Sequence, residues 1–382
     1  MAENHIIVGL GGTGGKVLRT FKMRMFEEFP KFEERQKQSV ALLYVDTTME
    51  MMGIGRDDFN VMGQDASFTQ NEFLFIKSSA VTEIIDNVEN YPQLRGIVGN
   101  AAATRNAIGN LGEAAGQKRR AGRLLFAKNA TEYVNALRDA FARCNTVSHN
   151  NSKIVHIIAG LCGGTGSGSI IDAVAQTRKT WPDAKILVYV MIPERDLPKS
   201  DMDKGRYYQN GYAALRELNA LQTGQLKPHD VSGNGEPLDL FNPAIKGVAN
   251  GITVYSNDNE NGITVNSFED LPKIVSDYIY ARVFIIDPTT PGVGDIIRAY
   301  NSENMDDFAY EFDEAYPVED GVEMPIKRTK LVSSFGLKRV VYPEFRILKH
   351  IVYTTGVDVL EQSLYGNWVE NVGYVDEEVN KD

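Results

Sequence analysis

Two glycine-rich turns are the residues of this chain with the clearest chemical potential. The first spans residues 9–15 and the second residues 160–169, and each follows an apolar segment and precedes a segment with helical character. Glycine lets the main chain approach an anion closely and adopt positive φ, and the start of a helix presents N–H groups to phosphate. The pair of turns therefore predicts two helix N-termini that converge on one polyphosphate.

The elements that must position these turns alternate between strand and helix over residues 5–220. Apolar segments at 41–45, 153–159 and 185–192 predict buried strands, and segments with helical periodicity separate them. Such apolar strands are typical of a parallel sheet that helices cover on both faces. Ligands of these sheets bind beyond the carboxyl ends of the strands, which is where both turns lie. Further along we expect a strand at 251–256 and helices at 268–282 and 347–365.

The composition is that of an ordinary soluble domain. Of 382 residues, 24% are charged and 43% hydrophobic, and the net charge of −11 argues against broad binding to nucleic acid or anionic membranes. Cys144 and Cys162 form no disulfide framework, which fits a cytoplasmic location. No segment approaches the roughly 18 apolar residues of a membrane span. The predicted first strand begins within five residues of Met1, so we expect no signal peptide. The scattered histidines predict no metal site built from side chains.

Taken alone, the first turn leaves two interpretations open. Gly9, Gly11 and Gly14 match the GxGxxG pattern, and Asp46 ends the second predicted strand as a ribose-binding acid would. This combination fits an NAD-dependent or adenylate-forming enzyme on a Rossmann-type domain. A Walker-type loop is excluded, since no Gly-Lys-Ser/Thr closes either turn. A dinucleotide fold has no need of a second phosphate cradle, so the second turn favours a different class.

The second turn resembles the GGTGTG loop of the tubulin/FtsZ superfamily. The matching residues are Gly163, Gly164, Thr165, Gly166, Ser167 and Gly168. Ser167 stands where the family usually has a second threonine, and serine, like threonine, provides a hydroxyl at this position. The resemblance covers residues 5–220 well and the remainder thinly. Within the superfamily, the chain is most similar to a divergent bacterial tubulin-like group. It implies an α/β fold: a parallel-sheet, Rossmann-like GTPase domain linked by a long central helix to a smaller α+β C-terminal domain.

The resemblance also implies a site for GTP or GDP with Mg²⁺. The first turn corresponds to the family's first phosphate loop, although Lys16 replaces a residue that is usually an amide. Asp46 and Thr47 would lie near phosphate and Mg²⁺, and the basic loop at 116–123 would sense the γ-phosphate. Asn210 would read the guanine base, and Asn257 would add a second contact. The nucleotide-binding residues are Gly11, Gly12, Thr13, Gly14, Asp46, Thr47, Gly116, Gln117, Gly163, Gly164, Thr165, Gly166, Ser167, Gly168, Arg206, Asn210 and Asn257.

In this family, hydrolysis resembles a shared reaction in which an acidic loop of the next subunit docks over the γ-phosphate. Asp306 and Asp307 are the candidate catalytic residues. Phosphoryl transfer needs a positioned water and charge neutralisation, and a head-to-tail contact that does not close builds a filament. The resemblance therefore implies a cytoskeletal GTPase whose main partner is itself, with protein adaptors as a further class of partner.

The expected domains are a nucleotide-binding domain at 1–265 with an insertion near 222–251, a central helix and connection at 266–290, and a smaller domain at 291–382. Few residues follow the acidic loop, so we expect a reduced second domain or a piece of a longer protein. A nucleotide-binding scaffold or regulatory module that does not polymerise remains an alternative, as does the Rossmann-type enzyme.

Overall fold

The computed structural model describes residues 3–52, 57–76, 81–108, 117–195, 206–245, 247–259, 261–285, 332–336, 344–366 and 368–374. These residues fall into two compact units, Met1–Phe335 and Gly336–Asp382. The predicted acidic loop with Asp306 and Asp307 lies outside the described residues, and so does Gly116.

A parallel sheet forms the centre of the first unit. Its strands are β1 (His5–Leu10), β2 (Val40–Asp46), β3 (Phe73–Phe75), β4 (Ile154–Gly160), β5 (Lys185–Met191) and β6 (Gly251–Tyr255). Their order across the sheet is β3-β2-β1-β4-β5-β6, and each neighbouring pair is parallel. All residues of β1 are buried, which explains why it has no polar alternation.

The described helices of this unit are α1 (Gly11–Glu28), α2 (Phe32–Gln36), α3 (Val81–Asp86), α4 (Arg95–Val98), α5 (Ala101–Ile108), α6 (Arg119–Lys128), α7 (Ala130–Ser148), α8 (Thr165–Thr180), α9 (Tyr207–Gln222) and α10 (Asp270–Tyr280). Both faces of the sheet are covered by helices, α1 and α10 on one face and α6 to α9 on the other, whereas α3, α4 and α5 pack in a separate cluster against α6. Ile6, Val8 and Leu10 pack toward α7, α8 and α9, whereas Ile7 packs toward α1 and α10. The period of two along β1 thus divides the core into two layers.

Three contacts hold α1 against α10. Arg24 forms an ion pair with Asp277, and its guanidinium lies 4.1 Å from the ring centroid of Tyr280. Phe21 also contacts Tyr280, with 5.7 Å between ring centroids. A π-helical turn, Ala281–Ile285, continues α10. These contacts fix the C-terminal part of α10 relative to the helix that follows the first glycine turn.

A buried string of polar side chains crosses the sheet on the α10 side. Nδ1 of His5 lies 3.1 Å from Nε2 of His156, and Nδ1 of His156 lies 3.0 Å from the Tyr189 hydroxyl. Burial, with the nearby charges of Lys185 and Arg282, lowers the pKa of His5 to about 4. Burial also lowers the pKa of His156 well below its usual range. Both imidazoles are therefore neutral at pH 7 and can act as hydrogen-bond donor and acceptor at once.

The second unit contains the helix α11 (Glu344–Tyr365) and a short hairpin, Trp368–Val369 with Gly373–Tyr374. Its apolar side chains, among them Ile351, Val352 and Leu360, are exposed within the described residues. In the part of the chain that the structure describes, no helix is long and apolar enough to cross a membrane.

The predicted fold class is confirmed, since a parallel sheet lies between two helical layers. The strands expected at 41–45, 153–159, 185–192 and 251–256 all form. The sequence analysis missed β3, a short apolar segment between polar residues. The three-part domain division stays a prediction, because most of residues 286–343 lie outside the described residues.

Candidate functional site

The two glycine turns meet at the centre of the sheet. From β1 the chain moves outward to one edge of the sheet through β2 and β3. It then returns to the centre at β4, beside β1, and moves to the other edge through β5 and β6. β1 and β4 are neighbours, with Leu10 opposite Ala159 at their carboxyl ends. This is the topological switch point, the place in an open α/β sheet where a crevice forms and ligands bind.

Close main-chain contact makes glycine necessary where the turns touch. Gly11 has φ +68°, and a Cβ placed on it would lie 2.8 Å from the main-chain nitrogen of Gly166. A Cβ on Gly166 would lie 2.8 Å from the Leu10 carbonyl oxygen, and one on Gly160 would lie 2.5 Å from Oγ1 of Thr13. The second turn is thus packed directly against the first, as the sequence predicted from their shared position at strand ends.

Two glycines of these turns instead face open space. A Cβ on Gly12 or Gly163 would meet no atom within 4 Å. The helices α1 and α8 also have no side-chain hydrogen bond at their N-termini and no acidic residue in the first turn. Their first N–H groups therefore remain available to an outside acceptor, and the helix dipoles favour an anion there.

A cleft opens beside these turns. It is lined by Thr13, Lys16, Gln117, Gly160, Cys162, Gly163, Met191, Glu194, Tyr207, Ser267, Phe268 and Pro272. Of the predicted site residues that the structure describes, only Thr13, Gln117 and Gly163 belong to this lining. The sequence analysis did not assign Glu194 or Phe268. Glu194 follows the end of β5, so its position beyond a predicted strand was the signal that could have found it.

Asp46 and Thr47 are buried beside the second turn. The Asp46 carboxylate, 4% exposed, accepts hydrogen bonds from the Tyr44 hydroxyl at 2.5 Å and from the Thr47 N–H at 2.7 Å. The hydroxyls of Thr47 and Thr165 lie 3.0 Å apart. Burial raises the pKa of Asp46, while these hydrogen bonds oppose the rise. The group braces the end of β2 against the N-terminus of α8.

Ser167 points away from the cleft. It is fully buried, and both its carbonyl oxygen and its hydroxyl lie 3.1 Å from Nε of Arg119. The same guanidinium forms a two-pronged ion pair with Glu217 of α9. Arg119 therefore connects the second glycine turn to α9 through a bidentate contact that lysine could not reproduce.

The rest of the basic loop is similarly engaged. Arg123 donates to the fully buried Asp172 at 2.8 and 3.2 Å, and this carboxylate raises the pKa of Arg123. Arg120 donates to the Thr104 hydroxyl at 3.3 Å. Gln117, the first described residue of the loop, has φ +59° and lines the cleft. The guanidinium groups of Arg119 and Arg123 thus hold α6 against α8 and α9.

Asn210 ties three segments together. Its amide nitrogen donates to the carbonyl oxygens of Gln117 at 2.8 Å, Cys162 at 3.1 Å and Gly163 at 3.4 Å. Arg206 is exposed at the start of α9. Asn257 is half-buried, and its carbonyl oxygen accepts the Val265 N–H at 2.8 Å. Neither Arg206 nor Asn257 lines the cleft.

Glu194 supplies an acceptor without a partner in the described residues. The residue is 1% exposed, its Oε2 accepts from the Tyr207 hydroxyl at 3.3 Å, and its Oε1 has no hydrogen-bond partner. Burial raises the pKa of Glu194 and raises that of Cys162 to about 12. A buried oxygen left unpaired is costly, so this wall of the cleft fits a ligand that donates a hydrogen bond.

Among the described residues, no group of three or more His, Cys, Asp or Glu side chains could hold a metal ion. The oxygens of Asp46 accept internal hydrogen bonds, and the hydroxyls of Thr47 and Thr165 contact each other. The Mg²⁺ implied by the resemblance therefore finds no dedicated set of side-chain ligands here.

A search of solved structures finds several that are similar to part of this chain. Solved structures similar to this chain include CetZ from Methanosaeta thermophila, with 13% identity, TM-score 0.45 and coverage of 79% of this chain and 60% of that chain. An empty FtsZ dimer from M. jannaschii has 14% identity, TM-score 0.43 and coverage of 79% and 61%. TubZ from Bacillus thuringiensis serovar israelensis, in a GTPγS-form protofilament, has 13% identity, TM-score 0.41 and coverage of 78% and 61%. The chain thus spans less than two thirds of each of these chains.

No curated protein matches the sequence closely enough to indicate a relationship. The family model described as "Tubulin like" matches residues 6–361, which is most of the chain and includes both glycine turns. The resemblance read from the second turn is therefore confirmed: the chain belongs to the tubulin-like family, within the tubulin/FtsZ superfamily.

Proposed function

We propose that this protein binds GTP and GDP in the cleft at the carboxyl ends of β1 and β4. The observation that carries the proposal is the meeting of two helix N-termini without side-chain caps, beside the open glycines Gly12 and Gly163. Main-chain N–H groups from both turns would hold the phosphates, as a polyphosphate requires several donors. Membership of the tubulin-like family supports a guanine nucleotide.

The remainder of the cleft fits a nucleoside. The unpaired Oε1 of Glu194 would accept a hydrogen bond from a ribose hydroxyl. The ring of Phe268 offers an aromatic face to a base, and base–aromatic stacking contributes about 1–3 kcal/mol. Thr13 lines the same cleft near Gly160 and would contact phosphate through its hydroxyl. Mg²⁺, if bound, would be held chiefly by phosphate oxygens and water, since it commonly keeps several waters.

We also propose that the chain assembles head to tail in the cytoplasm and hydrolyses GTP at the junctions. Family membership supports this step, and Asp306 and Asp307 are the proposed catalytic residues that one subunit presents to the next. Each would position or polarise the attacking water, because phosphoryl transfer depends mainly on positioning and electrostatics. Protein adaptors are proposed as further partners.

Three measurements test the proposal. Nucleotide that co-purifies with the protein should be GTP or GDP, and competition should rank both above ATP and NAD. Pelleting and electron microscopy should show filaments with GTP and fewer with GDP. Asp306→Ala should slow phosphate release while nucleotide binding is kept.

The results separate the alternatives. An adenine dinucleotide in the cleft would favour the Rossmann-type enzyme. GTP binding without filaments or phosphate release at any protein concentration would favour the scaffold or regulatory module. Unchanged turnover in both Asp306→Ala and Asp307→Ala would exclude that loop from hydrolysis.

A further inference from the structure

The second glycine turn has little means of keeping its shape by itself. Five of the nine residues from Gly160 to Gly168 are glycine. Glycine has the widest choice of main-chain conformations and loses the most conformational freedom when it is fixed. With no side chain at these five positions, the turn also has few atoms of its own that can pack against its surroundings. The N–H donors that we propose for phosphate are therefore only as well placed as the contacts that reach the turn from outside.

One of these contacts comes from the first residue of α6. The guanidinium Nε of Arg119 lies 3.1 Å from both the carbonyl oxygen and the hydroxyl of Ser167, which belongs to the first turn of α8. The main chain of α6 lies equally close, since a Cβ added to Gly168 would clash with the Arg119 carbonyl oxygen. Arg119 is thus fixed against the end of the glycine turn by its side chain and by its main chain.

Glu217 of α9 holds the Arg119 guanidinium in this orientation. Its two carboxylate oxygens accept from the two terminal nitrogens of the guanidinium, with 2.8 Å between Nη1 and Oε1. Such a two-pronged pair fixes the plane of the guanidinium and leaves Nε–H directed at Ser167. Each of the three guanidinium nitrogens thus has a protein partner, and Arg119 does not line the cleft.

The same helix also holds the start of the turn. The Asn210 amide, in α9, donates to the carbonyl oxygens of Cys162 at 3.1 Å and Gly163 at 3.4 Å. α9 therefore contacts the start of the turn directly and its end through Arg119. The N–H groups between these two points are placed by both contacts together.

We propose that Arg119 is a positioning residue for phosphate, and this inference rests on the proposed nucleotide site. Arg119 does not touch the phosphates; with Glu217 it holds the second glycine turn in the shape that presents its N–H groups. The other role open to a cation near phosphate is direct attraction of the anion. The two roles predict opposite effects when the negative charge of Glu217 is removed. Direct attraction would become stronger, whereas positioning would be lost.

Glu217→Gln separates these two roles. The amide keeps one acceptor oxygen but turns an NH₂ group toward the guanidinium, so the two-pronged pair is lost. The affinity for GTP in titration calorimetry should fall by about 10- to 100-fold, the range of one charge-assisted hydrogen bond to phosphate. Arg119→Met should lower it by a similar factor. Arg119→Lys should not restore it, because lysine has no fork with which to contact Ser167 and Glu217 together.

Guanosine shows whether the effect is confined to the phosphates. It has no phosphate group, so wild type, Glu217→Gln and Arg119→Met should bind it with the same affinity. Lys179→Met is the matched control for the loss of an ion pair on α8, because Lys179 lies in the last turn of that helix and pairs with Asp230 at 2.6 Å. This control should keep the wild-type affinity for GTP. Thermal unfolding of each variant checks that the fold is kept.

Four outcomes would overturn the inference. Tighter binding of GTP by Glu217→Gln would show that Arg119 attracts phosphate directly. An equal loss of affinity for GTP and guanosine would show that Arg119 supports the whole cleft and not the phosphate turn. Unchanged GTP affinity in both Glu217→Gln and Arg119→Met would show that the turn keeps its shape without this pair. Wild-type protein that bound neither GTP nor GDP would refute the proposed site itself, and this inference with it.

Discussion

Replacing Gly163 by alanine should separate nucleotide binding from stability. A Cβ at this position meets no atom within 4 Å, and the residue does not have positive φ. Alanine there should be neutral or should stabilise the fold by about 0.4–1 kcal/mol, because it restricts the unfolded chain. The same methyl group would project into the space beside the main-chain N–H groups that we propose for phosphate.

The cost to binding follows from the contact that is lost. A hydrogen bond to a charged group contributes about 1.5–3 kcal/mol. Loss of one such bond should weaken GTP binding by about 10- to 100-fold, since each 1.4 kcal/mol is a factor of ten. Titration calorimetry with GTP and urea unfolding would measure the two effects on the same preparation. Gly12→Ala, on the opposite turn, should behave in the same way.

Gly166→Ala provides the contrasting variant. Its Cβ would lie 2.8 Å from the Leu10 carbonyl oxygen and 3.0 Å from that of Gly160, where the two turns touch. Such crowding should cost about 1–3 kcal/mol of folding stability. If Gly163→Ala folded normally and still bound GTP like wild type, the placement of the phosphates at these turns would be wrong.

Three further predictions concern the cleft and its supports. Wild-type protein should bind 2′,3′-dideoxy-GTP, which lacks the ribose hydroxyls, more weakly than GTP. The Glu194→Leu variant should bind the two nucleotides with equal affinity in titration calorimetry. If dideoxy-GTP bound more weakly by the same factor in both proteins, Glu194 would not contact the ribose. Arg123→Met should lower the free energy of unfolding by about 3–5 kcal/mol, because it leaves the buried Asp172 carboxylate unpaired. The double variant Arg123→Met, Asp172→Leu should recover most of the lost stability, as measured by urea unfolding. Burial lowers the pKa of His5 from 6.5 in the unfolded chain to about 4 in the fold. The neutral imidazole therefore contributes fully to the free energy of unfolding above pH 6.5, and this free energy falls by about 3 kcal/mol as the pH falls toward 4. His5→Gln should reduce the slope of the unfolding free energy against pH in this range, while His156, whose pKa is also lowered, keeps part of it. An unchanged slope in urea unfolding at pH 4–6.5 would contradict the assignment.

Local sequence patterns were sufficient for most of the fold. The apolar runs that became β1, β4 and β5 are continuous because both faces of the sheet are covered, and this composition is visible without any alignment. The pattern was not sufficient for β3. Phe73–Phe75 is apolar but only three residues long, with polar residues on both sides, and it pairs with Tyr44–Asp46 of β2 at the edge of the sheet. An edge strand this short shows no periodicity from which it could be predicted.

The basic loop shows a different limit of sequence reasoning. The resemblance implies that the basic loop at 116–123, which contains Arg119 and Arg123, senses the γ-phosphate. In the structure these guanidinium groups pair with Glu217 and Asp172, which lie on helices far away in sequence. Residue type and spacing indicate where charge is present, but partner choice depends on which helices pack together.

By itself, the sequence determined the chemistry of the two glycine turns and their position after buried strands, because strand, turn and helix preferences act over a few neighbouring residues. Only the tertiary structure decided which side chains share the cleft. Lys16, Glu194 and Phe268 come from three distant segments. They meet because β4 lies between β1 and β5 in the sheet, and because α10 packs on α1. Strand order and helix packing arise from contacts between distant residues, and no local pattern specifies them.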